Sequence, residues 1–153
     1  MKIQNTKGNE IPFARGLVQA KLGDIFRWRA MNAALLNSSP EKQTQDLNTA
    51  KTYYSNALTL LKEEEGNESD AARADIAKAD YYLGFMAMAE GDYNQAGVRY
   101  AGALAKLTKE LSKRPDELQL ILSDYARVLW KNWDFADAIS VHEQARKATS
   151  AKL

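Results

Sequence analysis

Residues 81–104 read Tyr-Tyr-Leu-Gly-Phe-Met-Ala-Met-Ala-Glu-Gly-Asp-Tyr-Asn-Gln-Ala-Gly-Val-Arg-Tyr-Ala-Gly-Ala-Leu, and this stretch decides the fold. From its second half onward, Tyr93, Ala96, Tyr100, Ala103, Leu104, Leu107 and Leu111 recur every three or four positions. That period places them on one stripe of a helix. Gly91-Asp92 interrupts the pattern just before it, as a turn between two helices does.

The same pattern spreads outward in both directions. Leu47, Ala50, Tyr54, Ala57, Leu58 and Leu61 form an earlier stripe. Leu118, Ile121, Leu122, Tyr125, Val128 and Leu129, then Phe135, Ala138, Ile139, His142 and Ala145, form later ones. No segment alternates with a period of two, so the chain is expected to be all-α. The three prolines, Pro12, Pro40 and Pro115, stand where helices begin or end, because proline is excluded from helix interiors. Six helices are predicted, over about 12–37, 43–64, 69–90, 93–113, 116–131 and 135–149. Gly66 or Asn67 is expected to close the second, and Ser69-Asp70 to cap the third. Short connections make neighbouring helices antiparallel. The expected organisation is a flexible segment 1–10 followed by a single domain, 11–153, of three helical hairpins at about 11–64, 69–113 and 116–149.

The hairpins look like copies of one unit. Asp92, Tyr93 and Ala96 match Asp134, Phe135 and Ala138 at an offset of 42 residues, and Asp46, Leu47 and Ala50 supply a third copy. Each continues with Tyr54, Tyr100 or His142 four residues later, then Ala57, Ala103 or Ala145. Self-similarity at this period marks a stacked-repeat protein. The series Leu83-Gly84, Gly91-Asp92-Tyr93, Ala96, Tyr100, Ala103-Leu104 resembles the tetratricopeptide repeat (TPR) family, in a long-repeat form similar to that of kinesin light chain. It lacks the family's early Trp and closing Pro. The later copy has Tyr125-Ala126 for Leu-Gly and Trp133 for Gly, whereas Leu22-Gly23-Asp24 resembles the family's opening in the first.

The resemblance implies a right-handed superhelix, an α-α solenoid, in which the first helix of each hairpin lines a concave groove. Carried over position by position, it places Lys78, Tyr81, Phe85 and Met88 in that groove, with Arg127, Trp130 and Lys131 from the third hairpin and Asp24, Arg27 and Trp28 from the first. Aromatic rings beside guanidinium and ammonium groups suit a peptide with apolar anchors and acidic side chains. One TPR subclass grips chaperone tails through a carboxylate clamp; here the matching positions are Ala20, Asp24, Tyr82, Leu120 and Asp124, so that clamp is absent.

Composition argues against most chemistry. The 153 residues carry 21 basic and 20 acidic groups, no cysteine and one histidine. Nucleic acid is not an expected partner, since a coat for it would be strongly basic. With no cysteine and only His142, there is no nucleophile–base pair and no metal-ligand set, and His142 is expected to pack in the core as Tyr54 and Tyr100 do. There is no phosphate-binding glycine loop, and the run Glu63-Glu64-Glu65 lacks the spacing of a calcium loop. No enzyme, cofactor or metal is expected. The longest apolar run, Phe85 to Ala89, is too short to span a membrane, and residues 1–10 lack a signal-peptide core. A soluble, cytoplasmic protein follows; Ala151-Lys152-Leu153 resembles a peroxisomal address and gives the alternative location.

Charge is unevenly spread. Residues 1–32 hold six bases against two acids, while residues 41–80 hold five against nine. The expected function is a non-enzymatic adaptor or scaffold, a protein-binding module that takes a peptide or partner helix in its groove. The alternative is a structural or self-associating subunit, a homo-oligomer or part of a larger assembly, joined through its terminal hairpins.

Overall fold

The structure, a computed structural model, describes residues 12–63 and 70–150. The segment 1–10, the closing Gly66 or Asn67, the cap at Ser69 and the C-terminal Ala151-Lys152-Leu153 lie outside those residues. The described residues form six helices and no strand: α1 (Pro12–Met31), α2 (Pro40–Glu63), α3 (Asp70–Ala89), α4 (Tyr93–Leu111), α5 (Pro115–Lys131) and α6 (Phe135–Ser150). The chain is all-α. It divides into two compact units, Met1–Ala72 and Arg73–Leu153.

Three turns close by one device. After α3, the Gly91 amide donates to Met88 O and the Asp92 amide to Ala87 O, with Gly91 at φ 81°. This is the Schellman closure, which uses up carbonyls that the helix end leaves unpaired. After α5, Trp133 donates to Trp130 O and Asp134 to Leu129 O, with Trp133 at φ 66°. After α1, Asn37 donates to Ala34 O and Ser38 to Ala33 O, with Asn37 at φ 50°. The side chains of Ser39 and Asp92 then cap α2 and α4 by accepting the Lys42 and Gln95 amides.

The first turn falls between the two helices expected over 12–37 and 43–64, but α1 is shorter than expected. Asp46 lies inside α2, as the predicted helix over 43–64 has it, although the repeat alignment pairs it with Asp92 and Asp134, which immediately precede their helices. Asn37 and Ser38 make the turn. α1 stops at Met31 and residues 32–37 continue as turns, so this hairpin is longer at its loop end than the other two. Downstream the register is as read from the sequence: Ala50, Tyr54 and Ala57 are fully buried, as are Ala96, Tyr100 and Ala103.

In the first unit, α1 packs on α2, and its small residues Gly16, Ala20, Gly23 and Ala30 are buried. Gly23 is required by close approach, because a Cβ there would stand 2.6 Å from the Tyr54 ring. The ring is fixed at its far end: Arg27 Nε donates to the Tyr54 hydroxyl (3.0 Å), which donates to Asp24 (2.8 Å).

In the second unit, α5 seats on α3 and α4. Ile121 and Val128 join Ala77, Ala96, Tyr100 and Leu107 in one buried cluster. Val128 faces Gly97, and Asn132 Nδ2 donates to Tyr93 O. α6 covers the other side of α5 through Leu122, Ala126, Leu129, Ala138, Val141 and Ala145.

Among the described residues three aspartates are buried, and each is paired. Asp46 lies near Lys42 and Arg29 (3.3 and 3.4 Å), Asp80 accepts from Arg99 and Lys106, and Asp124 accepts from Arg127 (2.7 Å) and the Tyr81 hydroxyl (2.9 Å). Such pairs add little net stability, but losing the cations would leave a costly charge inside.

Candidate functional site

The offset of 42 residues that relates Asp92 to Asp134 also relates two surfaces of the second unit. Tyr81, Gly84, Met88, Ala96, Gly97 and Tyr100 stand on α3 and α4, where α5 packs. Their counterparts on α5 and α6 are Ser123, Ala126, Trp130, Ala138, Ile139 and His142. On that second surface lies a groove of about 360 Å³, lined by those six residues together with Arg127 and Glu143. It opens to solvent. Ile139 is 60% exposed and Trp130 58%.

Aromatic rings extend the groove toward the α5–α6 turn. Trp130 meets Phe135 edge-on at 4.7 Å between centroids, and Trp133 meets the same ring at 5.8 Å. Trp133 is 79% exposed and holds the left-handed conformation that Gly91 holds after α3. For a residue with a Cβ that conformation costs about 1–2 kcal/mol. Strain held at an exposed aromatic points to a use for that ring beyond the fold. The surroundings are acidic: burial first, then the Asp137 and Asp134 carboxylates, push the Tyr125 hydroxyl above its ordinary range.

His142 departs from its expected role. Tyr54 and Tyr100 are buried at this repeat position, whereas His142 is exposed and lines the groove. The helix that covers Tyr100 is α5; among the described residues nothing plays that part for His142.

The residues expected to form a binding groove fall into several settings. Arg127 and Trp130 come together in the α5–α6 groove. Tyr81 and Met88 pack against the core of the second unit, the Tyr81 ring 5.5 Å from that of Tyr100. Phe85 is exposed on α3. Lys78 pairs with Glu117 at 3.6 Å, and Lys131 lies over the Tyr93 ring. In the first unit, Arg27 holds Tyr54 and Trp28 is exposed. Several of the cations expected to grip an acidic partner are thus already engaged with groups of the protein.

Ile139, His142 and Ser123 were not among the expected binding residues. The offset places them on this face: Ile139 stands where Gly97 packs against Val128. Among the described residues, no three His, Asp or Glu side chains gather as a metal site, and no helix is long and apolar enough to cross a membrane. Compared with known proteins, the chain matches no family model, no curated protein and no solved structure.

Proposed function

We propose that this chain is a non-enzymatic protein-binding module, a TPR-like array whose α5–α6 face receives a partner helix. One observation carries this: α5 packs on α3–α4, and the equivalent face of α5–α6 is open, grooved and aromatic. A surface built to take a helix in one repeat and left uncovered in the next suits helix-in-groove recognition, where apolar anchors at helical spacing enter the groove. Trp130, Ile139 and Phe135 supply contact area, and Trp and Tyr anchors dominate such interfaces. Because the Arg127 guanidinium is held by Asp124, recognition is mainly apolar rather than a grip on acidic side chains.

The test is a displayed library of amphipathic helices screened against the full chain. Helices with an apolar stripe should bind, and Ile139→Glu should abolish binding while far-ultraviolet circular dichroism stays unchanged. If bound helices ignore Ile139→Glu, or none binds, the α5–α6 face is not the site.

A further inference from the structure

We infer that the partner of the α5–α6 face is a second copy of this chain, presenting the exposed stripe of its α1, so that copies join head to tail. This deepens, and rests on, the assignment of that face as a helix-binding surface.

The correspondence between helices identifies the stripe. Gly23 packs on Tyr54 as Gly84 packs on Tyr100, and Ala126 stands beside His142 in the same way. With Gly23 set against Ala126, the α5 residues Leu118, Ile121, Asp124, Val128 and Lys131 correspond to Arg15, Val18, Lys21, Ile25 and Trp28 of α1. On α5 the central three are buried against α3–α4. On α1 all five are exposed, Val18 at 54% and Ile25 at 53%. The opposite side of α1 is spent on α2. Among the described residues, each within its own unit, the chain therefore carries both halves of one kind of contact: an exposed helix stripe on α1 and a hairpin face on α5–α6 with no helix on it.

The internal contact gives the pairing. Val128 against Gly97 becomes Ile25 against Ile139. Lys131 over the Tyr93 ring becomes Trp28 over Phe135, and Asp124 opposite the Tyr81 hydroxyl becomes Lys21 opposite Ser123, with Glu143 lining the same groove. Charge agrees. α1 holds four bases and one acid, whereas residues 115–150 hold six acids and four bases, with Asp134, Asp137 and Glu143 exposed on the α6 side. Opposite potentials steer such an encounter and fix its orientation. Two different surfaces meet, so the association is heterologous and continues past a dimer unless it closes into a ring.

The experiment is light scattering after size exclusion, from about 2 µM to about 500 µM, a range suited to an interface of modest area. The wild-type mass should rise with concentration from 17.1 kDa to beyond twice that value. Ile25→Glu and Ile139→Glu should each stay monomeric. An equimolar mixture of the two should form a dimer and stop there, because one copy keeps its stripe and the other its groove. Val18→Glu replaces Ile25→Glu if circular dichroism shows the latter misfolded. A wild type that stays monomeric, variants that still associate, or a mixture that does not pair overturns the inference. The library screen separates the two ideas: a monomeric chain that still binds foreign helices through Ile139 keeps the binding surface and loses only the self-partner.

Discussion

Replacing Gly23 by alanine tests the closest packing in the first unit. The new Cβ would lie 2.6 Å from Cδ1 and Cε1 of Tyr54 and 3.0 Å from Cζ. The ring has nowhere to go, since it is buried and its hydroxyl is held by Arg27 and Asp24. Against a ring that cannot yield, overpacking falls at the upper end of its range, about 2–3 kcal/mol, while alanine in place of glycine returns about 1 kcal/mol of helix propensity. The expected net loss is about 1–2 kcal/mol, read from urea unfolding followed at 222 nm. The same change at Gly84 is the control. There the nearest atoms are Arg99 Cβ at 3.1 Å and Tyr100 Cδ1 at 3.4 Å, so strain and propensity should cancel to within about 0.5 kcal/mol. Adding Tyr54→Phe releases the ring from its two hydrogen bonds. The pair Gly23→Ala/Tyr54→Phe should then be less destabilised than the sum of the single changes by about 0.5 kcal/mol or more. Gly23→Ala as stable as wild type, or strictly additive effects, would refute a ring pinned against α1.

Three further outcomes are expected. Tyr100→Phe should leave stability unchanged or raise it by up to about 1 kcal/mol, because its buried hydroxyl has no hydrogen-bond partner among the described residues; Tyr54→Phe should cost about 1.5 kcal/mol, both read from urea midpoints. Burial first, and then a neighbouring carboxylate, hold the Tyr54, Tyr81 and Tyr100 hydroxyls above the ordinary tyrosine range. The unfolded chain ionises first, so their contribution is intact below about pH 10 and is lost as pH rises above it, by at most about 1.4 kcal/mol per pH unit for each tyrosine. Titration at 295 nm should show tyrosinate from these three only as helicity collapses. Trp133→Gly removes left-handed strain and one edge-on ring contact, so the thermal midpoint should hold or rise by the equivalent of up to about 1 kcal/mol, while affinity for partner helices falls.

The helices were legible because their signals are local. Stripes at three and four residues, together with Pro40, Pro115 and Gly91-Asp92, place elements without knowledge of what they touch. The register of Ala50, Tyr54 and Ala57 followed for the same reason. What failed depended on tertiary partners. Asp46 was placed in a helix by its sequence, but its burial was not legible, and Arg29 on α1 and Lys42 explain a buried acid there. His142 occupies a position that is buried when another helix covers it, and no property of the residue says whether one does. Tyr81 was assigned to a binding groove by its place on α3, but its hydroxyl satisfies Asp124, a partner 43 positions away. Arg127 and Trp130, expected to share a surface, do line one groove; that Ile139 lines it too shows only when one repeat is compared with the next.

The exposed tryptophans have a practical consequence. All three in the chain, Trp28, Trp130 and Trp133, lie more than half exposed, and among the described residues the buried rings are tyrosines. Indole emission from the native protein should already be red-shifted, so it will change little as the protein melts and will be a poor gauge of folding. The same indoles lie on the two surfaces inferred to meet. A blue shift on raising the protein concentration, with no change in helicity, would make intrinsic fluorescence a spectroscopic record of assembly alone.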